Sequence, residues 1–153
     1  MSSEYQVRDP AFAARVRDSF ARQGFMRYLG AELAHVAPGE CEIVLPYREE
    51  LSQQHGFFHG GVIATLADNA GGYAGFSLMA ASDSVLTVEF KVNILAPGHG
   101  ERLLARAHVK RAGRTLTVAQ TDILVLRDGR ETLCATALQT LMRLADRSDG
   151  PVG

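Results

Sequence analysis

The chain of 153 residues is 46% hydrophobic and 22% charged, the composition of a domain that buries one core. Sixteen Lys and Arg against 17 Asp and Glu leave a formal charge of -1, so no electrostatic field draws nucleic acid or an anionic membrane surface. Cys41 and Cys134 sit among aliphatic residues without metal-ligand spacing, and are expected to be reduced core residues of a cytoplasmic protein.

Met1 to Pro10 carries Glu4, Arg8 and Asp9 and lacks the apolar run of a signal peptide. From Pro10 to Gly24, Phe12, Val16 and Phe20 recur at intervals of four, predicting a short amphipathic helix with Asp9 as N-cap and Gly24 as its stop. Leu29 to Val36 and Cys41 to Pro46 read as strands of an antiparallel hairpin turned by Ala37-Pro38-Gly39-Glu40. A polar loop, Tyr47 to Gly56, follows.

Phe57 to Ala81 is long and apolar enough to test as a membrane span, but it holds His59, Asp68, Asn69 and several glycines. A bilayer penalises such a carboxylate by roughly 3 kcal/mol, so a buried helix over Gly60 to Met79 is expected instead. Gly71, Gly72 and Gly75 would each weaken an exposed helix by roughly 1 kcal/mol, which predicts another backbone lying very close. Four strands complete the pattern, Ser84 to Leu95, Glu101 to Ala112, Arg114 to Arg127 and Glu131 to Leu144, joined at Pro97-Gly98, Ala112-Gly113 and Asp128-Gly129. In the first of them Val88, Phe90, Val92 and Ile94 alternate with Thr87, Glu89, Lys91 and Asn93. In the second, Leu103, Ala105, Ala107 and Val109 alternate with Arg106, His108 and Lys110. The plan is α+β: one antiparallel sheet burying a single long helix. Residues 1–28 are expected to form an N-terminal helical segment, 29–145 the sheet-and-helix domain, and 146–153 a flexible tail.

The segment Gln53-Gln54-His55-Gly56-Phe57-Phe58-His59-Gly60-Gly61 runs straight into the long helix. Paired glycines at a helix start leave N–H groups pointing outward, where the helix dipole can polarise a carbonyl and stabilise an oxyanion; His59 is placed to cap that start. Asp68 is the only charged residue between His59 and Asp83. A buried carboxylate with no Lys or Arg a turn away is either satisfied by neighbours or poised to act as a base. Nine residues at 100° each turn Asp68 away from His59, with a rise of about 13 Å between them. One small substrate cannot easily reach both within one chain, so the spacing predicts an obligate homodimer with two composite sites.

These residues resemble the hotdog-fold acyl-CoA thioesterases, in particular the PaaI-like branch of phenylacetic acid degradation. The likeness covers Leu29 to Leu144 and rests on His59-Gly60-Gly61, on Asp68 nine positions after His59, and on Leu86-Thr87-Val88-Glu89-Phe90. It implies a sheet wrapped around the central helix, a dimer with one continuous sheet, often a dimer of dimers, and hydrolysis of an acyl thioester. It also implies site roles. Asp68 resembles the catalytic carboxylate, as general base or nucleophile, and Gly60 the backbone donor to the thioester carbonyl, with His59 ordering the turn. Thr87 stands where a hydroxyl positions water near the partner's aspartate. Gln53 stands where relatives carry an asparagine, one methylene shorter, and Gln54 could substitute for it.

For substrate binding, Gly61 joins the helix start, Phe57, Phe58, Tyr73 and Phe76 could line an acyl pocket, and Lys110, Arg111 and Arg114 could meet coenzyme phosphates. No metal is expected, because His35, His55, His99 and His108 are scattered. No cofactor is expected either, coenzyme A being part of the substrate. Two other readings compete. Hydratases or dehydratases of the same fold commonly carry Gly-Asp-x-Asn-Pro-x-His, and Asp68-Asn69-Ala70-Gly71 lacks the proline and histidine. A non-catalytic acyl-ligand sensor of this fold would carry an added DNA-binding segment, and no basic helix-turn-helix precedes the first strand.

Overall fold

The computed structural model describes residues 5–153; the first four residues of the expected 1–28 segment lie outside them. Two helices open the chain, α1 (Phe12–Arg22) and α2 (Gly24–Leu29), followed by the hairpin β1 (Glu32–Ala37) and β2 (Glu40–Pro46). A one-turn helix, Glu49–Leu51, leads toward the long helix α3 (Gly60–Phe76). Strands β3 (Ser84–Ile94), β4 (Arg102–Ala112), β5 (Leu116–Arg127) and β6 (Arg130–Leu144) complete one antiparallel sheet, ordered β1-β2-β4-β5-β6-β3. α3 packs on the sheet, and its 17 residues are too few for a membrane span. No helix among the described residues is long and apolar enough to cross a membrane.

The anticipated alternation of β4 is met, with Leu103, Ala105, Ala107 and Val109 buried. Several local expectations change: Leu29 ends α2 and the first strand begins at Glu32, and α3 ends at Phe76 rather than Met79. Asp9 is not the residue at the helix boundary: Ala11 is, and Asp9 Oδ1 accepts from its N–H at 2.9 Å. Gly24 does not end helical structure, since α2 starts there; the stop is Gly30, whose φ of 80° admits the left-handed turn. Of the three glycines expected to meet another backbone, Gly71 and Gly75 are approached by side chains instead and Gly72 by nothing within 4 Å. A Cβ on Gly71 would stand 1.8 Å from Gln139 Oε1, and one on Gly75 would stand 2.3 Å from Leu141 Cδ1.

The N-terminal helix is tied to α3 by Arg15. Its guanidinium donates to the carbonyls of Ala80 (2.6 Å), Met79 (2.8 Å) and Phe76 (3.2 Å), pairs with Asp9 and covers the Phe76 ring. These carbonyls lie at and beyond the end of α3, where those of Phe76 and Ala80 also accept backbone N–H groups, so one side chain from α1 adds to the cap of another helix. At the other end of the chain, Asp149 accepts from Arg22 at 2.9 Å and from Ser84 Oγ at 3.3 Å.

The last strand of the sheet departs most from its sequence pattern. β3 pairs with β6 on one side, and its other edge has no strand beside it among the described residues. Between Thr87 and Glu89 the register slips: Thr87 lies opposite Leu141 and Glu89 opposite Thr140, so Val88 is the extra residue of a β-bulge. Residues opposite one another share a face, and Gln139 and Leu141 face α3. Thr87, Phe90, Val92 and Ile94 therefore share the helix-facing side, whereas unbroken alternation had set Thr87 apart from the other three. Leu86, Val88, Phe90 and Ile94 are left 60%, 58%, 44% and 53% exposed.

Candidate active site

The helix start is built from consecutive residues. His59 adopts an extended backbone as N-cap of α3, and its Nδ1 accepts from the Gly61 N–H at 2.8 Å. A Cβ on Gly61 would crowd that ring at 3.0 Å, which accounts for the second glycine. The expectation that both glycines offer free N–H groups is corrected here, because the Gly61 donor is occupied by His59. The Gly60 N–H has no acceptor among the described residues, and the Cβ position of Gly60 stands 3.2 Å from Ile94 Cδ1.

The loop leading in is pinned on both sides. Phe58 N–H donates to the Gly98 carbonyl at 2.8 Å and His59 N–H to the Leu51 carbonyl at 2.9 Å. The Gln53 side-chain carbonyl accepts from the His55 N–H, so it stabilises its own turn rather than reaching toward Gly60. Phe58 is 2% exposed and edge-packed on Tyr47, so it belongs to the core; Phe57 lies over His99 with ring centres 5.3 Å apart. Phe76 is also core.

The middle of α3 is built from three elements. Thr87 Oγ1 donates to Asp68 Oδ1 at 2.7 Å, and Gln139 Nε2 donates to Asp68 Oδ1 at 3.3 Å and to the Asp68 carbonyl at 3.1 Å. Thr87 thus binds the aspartate of its own chain, not that of a partner. The bulge at Val88 turns its hydroxyl to the helix, and the missing side chain of Gly71 admits Gln139. Asp68 is half-buried, forms no ion pair among the described residues, and leaves Oδ2 without a partner there. Gln139 escaped the reading from sequence, although the signal was present: in β6, Ala135, Ala137, Gln139 and Leu141 occupy alternate positions, and the glutamine interrupts an apolar face.

A cavity of about 280 Å³ opens beside Asp68, lined by Ser19, Gln23, Asn69, Gly72, Tyr73, Val85, Leu86, Thr87 and Asp149. Gly72 is among the lining residues, and an added Cβ there would meet nothing within 4 Å. The Tyr73 hydroxyl lies 3.0 Å from Ser19 Oγ and accepts from Gln23 Nε2 at 3.0 Å, while Gln23 Oε1 accepts from Asn69 Nδ2 at 2.7 Å. Burial pushes the Tyr73 hydroxyl up to about 12, against a smaller opposing effect of its bond to Ser19, so it stays protonated at neutral pH. Of the aromatic residues considered for an acyl pocket, Tyr73 alone lines this cavity. Lys110, Arg111 and Arg114 are exposed on the β4–β5 hairpin and line no part of it. Among the described residues no group of His, Cys, Asp and Glu is arranged to hold a metal ion.

Comparison with known proteins agrees with this architecture. The thioesterase superfamily matches residues 55–134, a span that contains the helix start, Asp68 and Thr87. A thioesterase family protein from Silicibacter pomeroyi is 52% identical and superposes with a TM-score of 0.86, covering 88% of this chain and 98% of its own. Acyl-coenzyme A thioesterase 13 of Homo sapiens is 31% identical over 103 residues, 66% of this chain and 73% of its own length. The PaaI protein of the E. coli phenylacetic acid degradation operon shares the fold at 18% identity, with a TM-score of 0.82 over 93% of this chain and 99% of its own.

Proposed function

Because the chain belongs to the thioesterase superfamily and is a hydrolase of the hotdog fold, we propose that its substrate is an acyl-coenzyme A and that Asp68 is the catalytic base. The observation that carries this is the Asp68 carboxylate itself, held at Oδ1 by Thr87 and Gln139, open at Oδ2, and facing a cavity large enough for an acyl group. A water between Asp68 Oδ2 and Thr87 Oγ1 attacks the thioester carbon while Asp68 takes its proton. The resulting oxyanion is met by a backbone N–H at a helix start. When the C–S bond breaks, the proton passes from Asp68 to the departing sulfur, giving free acid and coenzyme A thiol. A single turnover in ¹⁸O-water separates this route from nucleophilic attack by Asp68. The base route labels only the product acid, whereas label in the Asp68 carboxylate with an unlabelled first product reports a mixed anhydride opened by water at the Asp68 carbonyl.

The helix start that completes the site is that of a second copy. Gly60 sits over Ile94 and Asp68 beside Thr87, so α3 and β3 run in opposite directions with the two half-sites at opposite ends of β3. The unpaired β3 edge, with Leu86, Val88, Phe90 and Ile94 exposed, is suited to antiparallel pairing with its own copy. Pairing centred on Lys91, with Val88 kept as the extra residue, sets Thr87 opposite the partner subunit's Ile94 on the helix-facing side, and so brings Asp68 to the partner subunit's Gly60. Each homodimer then carries two equivalent sites made from both chains, and the outer sheet face remains for a dimer of dimers. Lys110, Arg111 and Arg114 are the cations offered to the coenzyme phosphates, and Gln53 steadies the loop before the helix. The enzyme would work in the cytoplasm without metal or cofactor.

The test is release of free thiol from short-chain, long-chain and aryl acyl-CoAs. Turnover with at least one class is expected; tight acyl-CoA binding without thiol release would favour a ligand sensor instead.

A further inference from the structure

The polar wall of the Asp68 cavity is more elaborate than an apolar acyl chain requires. Ser19 comes from α1 and Gln23 from the residue that ends it, Asn69, Gly72 and Tyr73 come from α3, and Leu86 from β3. Ser19 and Tyr73 bring two hydroxyl hydrogens to a pair that shares one hydrogen bond, and Gln23 approaches Tyr73 as a donor. Within this wall one O–H therefore lacks an acceptor. At the other end of the same chain of bonds, Asn69 Oδ1 is buried and lacks a donor. Turning both amides over reverses every bond, satisfies the two hydroxyls and leaves the Asn69 amide hydrogens over instead. Asn69 Oδ1 is closed off from the cavity, so in the bonding as it stands what the wall lacks is an acceptor for its spare O–H, and a hydroxyl oxygen on the bound acyl group supplies one.

We propose that this wall makes the enzyme selective for acyl groups bearing a hydroxyl at their far end, over the same groups without it. The inference rests on the thioester-hydrolysis reading above and extends it to substrate choice. Distance sets the chain length. Tyr73 lies five residues beyond Asp68, about 8 Å along the helix, so a hydroxyl on the last carbon of a six-carbon acyl group reaches the wall while the thioester stays at Asp68.

The experiment compares kcat/KM for hexanoyl-CoA and its terminally hydroxylated counterpart on the full-length protein. A preference of at least about tenfold for the hydroxylated substrate is expected, since a site with polar groups left unpaired rejects the analogue that cannot pair them. Tyr73→Phe, which removes one hydroxyl and keeps the ring, should bring the preference to within about threefold of parity, and so should the near-isosteric Gln23→Met. Equal turnover of the two thioesters by the parent, or a preference that survives both variants, would overturn the proposal. Failure to hydrolyse either thioester would instead count against the hydrolysis reading. Calorimetric binding of hexanoate and its terminally hydroxylated form then still decides the selectivity: tighter binding of the hydroxylated acid supports it, and equal binding overturns it.

Discussion

The two halves of the site are made in different ways. The start of α3 is assembled from neighbours in sequence, His59 folding back on Gly61 and leaving the Gly60 N–H outward. The middle of α3 is assembled across the fold, with Thr87 from β3 and Gln139 from β6 converging on Asp68 over separations of 19 and 71 residues. The helix start thus provides a fixed dipole that needs only a tight turn, whereas the carboxylate is aimed by side chains that only the completed sheet brings together. Substitutions at the second half should therefore strike catalysis, and substitutions at the first should divide between catalysis and helix stability.

The largest effect is expected at Asp68. Asp68→Asn keeps the shape and removes the base, and should lower kcat by at least about a hundredfold while sedimentation still reports the parent assembly. Near-parental turnover would remove Asp68 from the chemistry. Thr87→Val and Gln139→Leu, which leave the carboxylate in place but free to turn, should each lower kcat by about tenfold with little change in KM, and Thr87→Ser should restore most of the loss. An effect confined to KM would assign these residues to substrate binding instead. His59→Ala should have the smallest catalytic effect and a measurable structural one. Loss of an N-cap costs about 1 kcal/mol, a fall in Tm of roughly 2–4 °C for a domain of this size by calorimetry.

The same contrast governs what could be read from sequence. The helix, the strands and the turns repeat local patterns, and the His59-Gly60-Gly61 start is visible because its parts are contiguous. The carboxylate was visible as a charge without a local partner, but its actual partners were not. The bulge at Val88 has no signature in Leu86-Thr87-Val88-Glu89-Phe90, which reads as unbroken alternation, and without the bulge Thr87 faces the wrong side. Gly71 was legible as a site of close approach, but Gln139 as the approaching group depends on the pairing of β6 with β3. The cavity wall was hidden for a similar reason. Ser19 and Gln23 lie on or just beyond an ordinary amphipathic helix, and only its docking on α3 through Arg15 turns them toward Tyr73.

The central claim, that each site joins Asp68 of one copy to the Gly60 N–H of another, is tested most directly by hybrid dimers. Gly60 is the first residue of α3 and His59 before it is extended, so Gly60→Pro deletes the N–H at a position where proline suits the helix. Asp68→Asn and Gly60→Pro chains, each inactive alone, are mixed and allowed to re-associate. With sites shared between chains, every hybrid dimer gathers both lesions into one site and leaves the other intact, so an equal mixture should regain about a quarter of the parental turnover. If the mixture stays as inactive as its components while hybrids form, each site lies within one chain and the account is wrong.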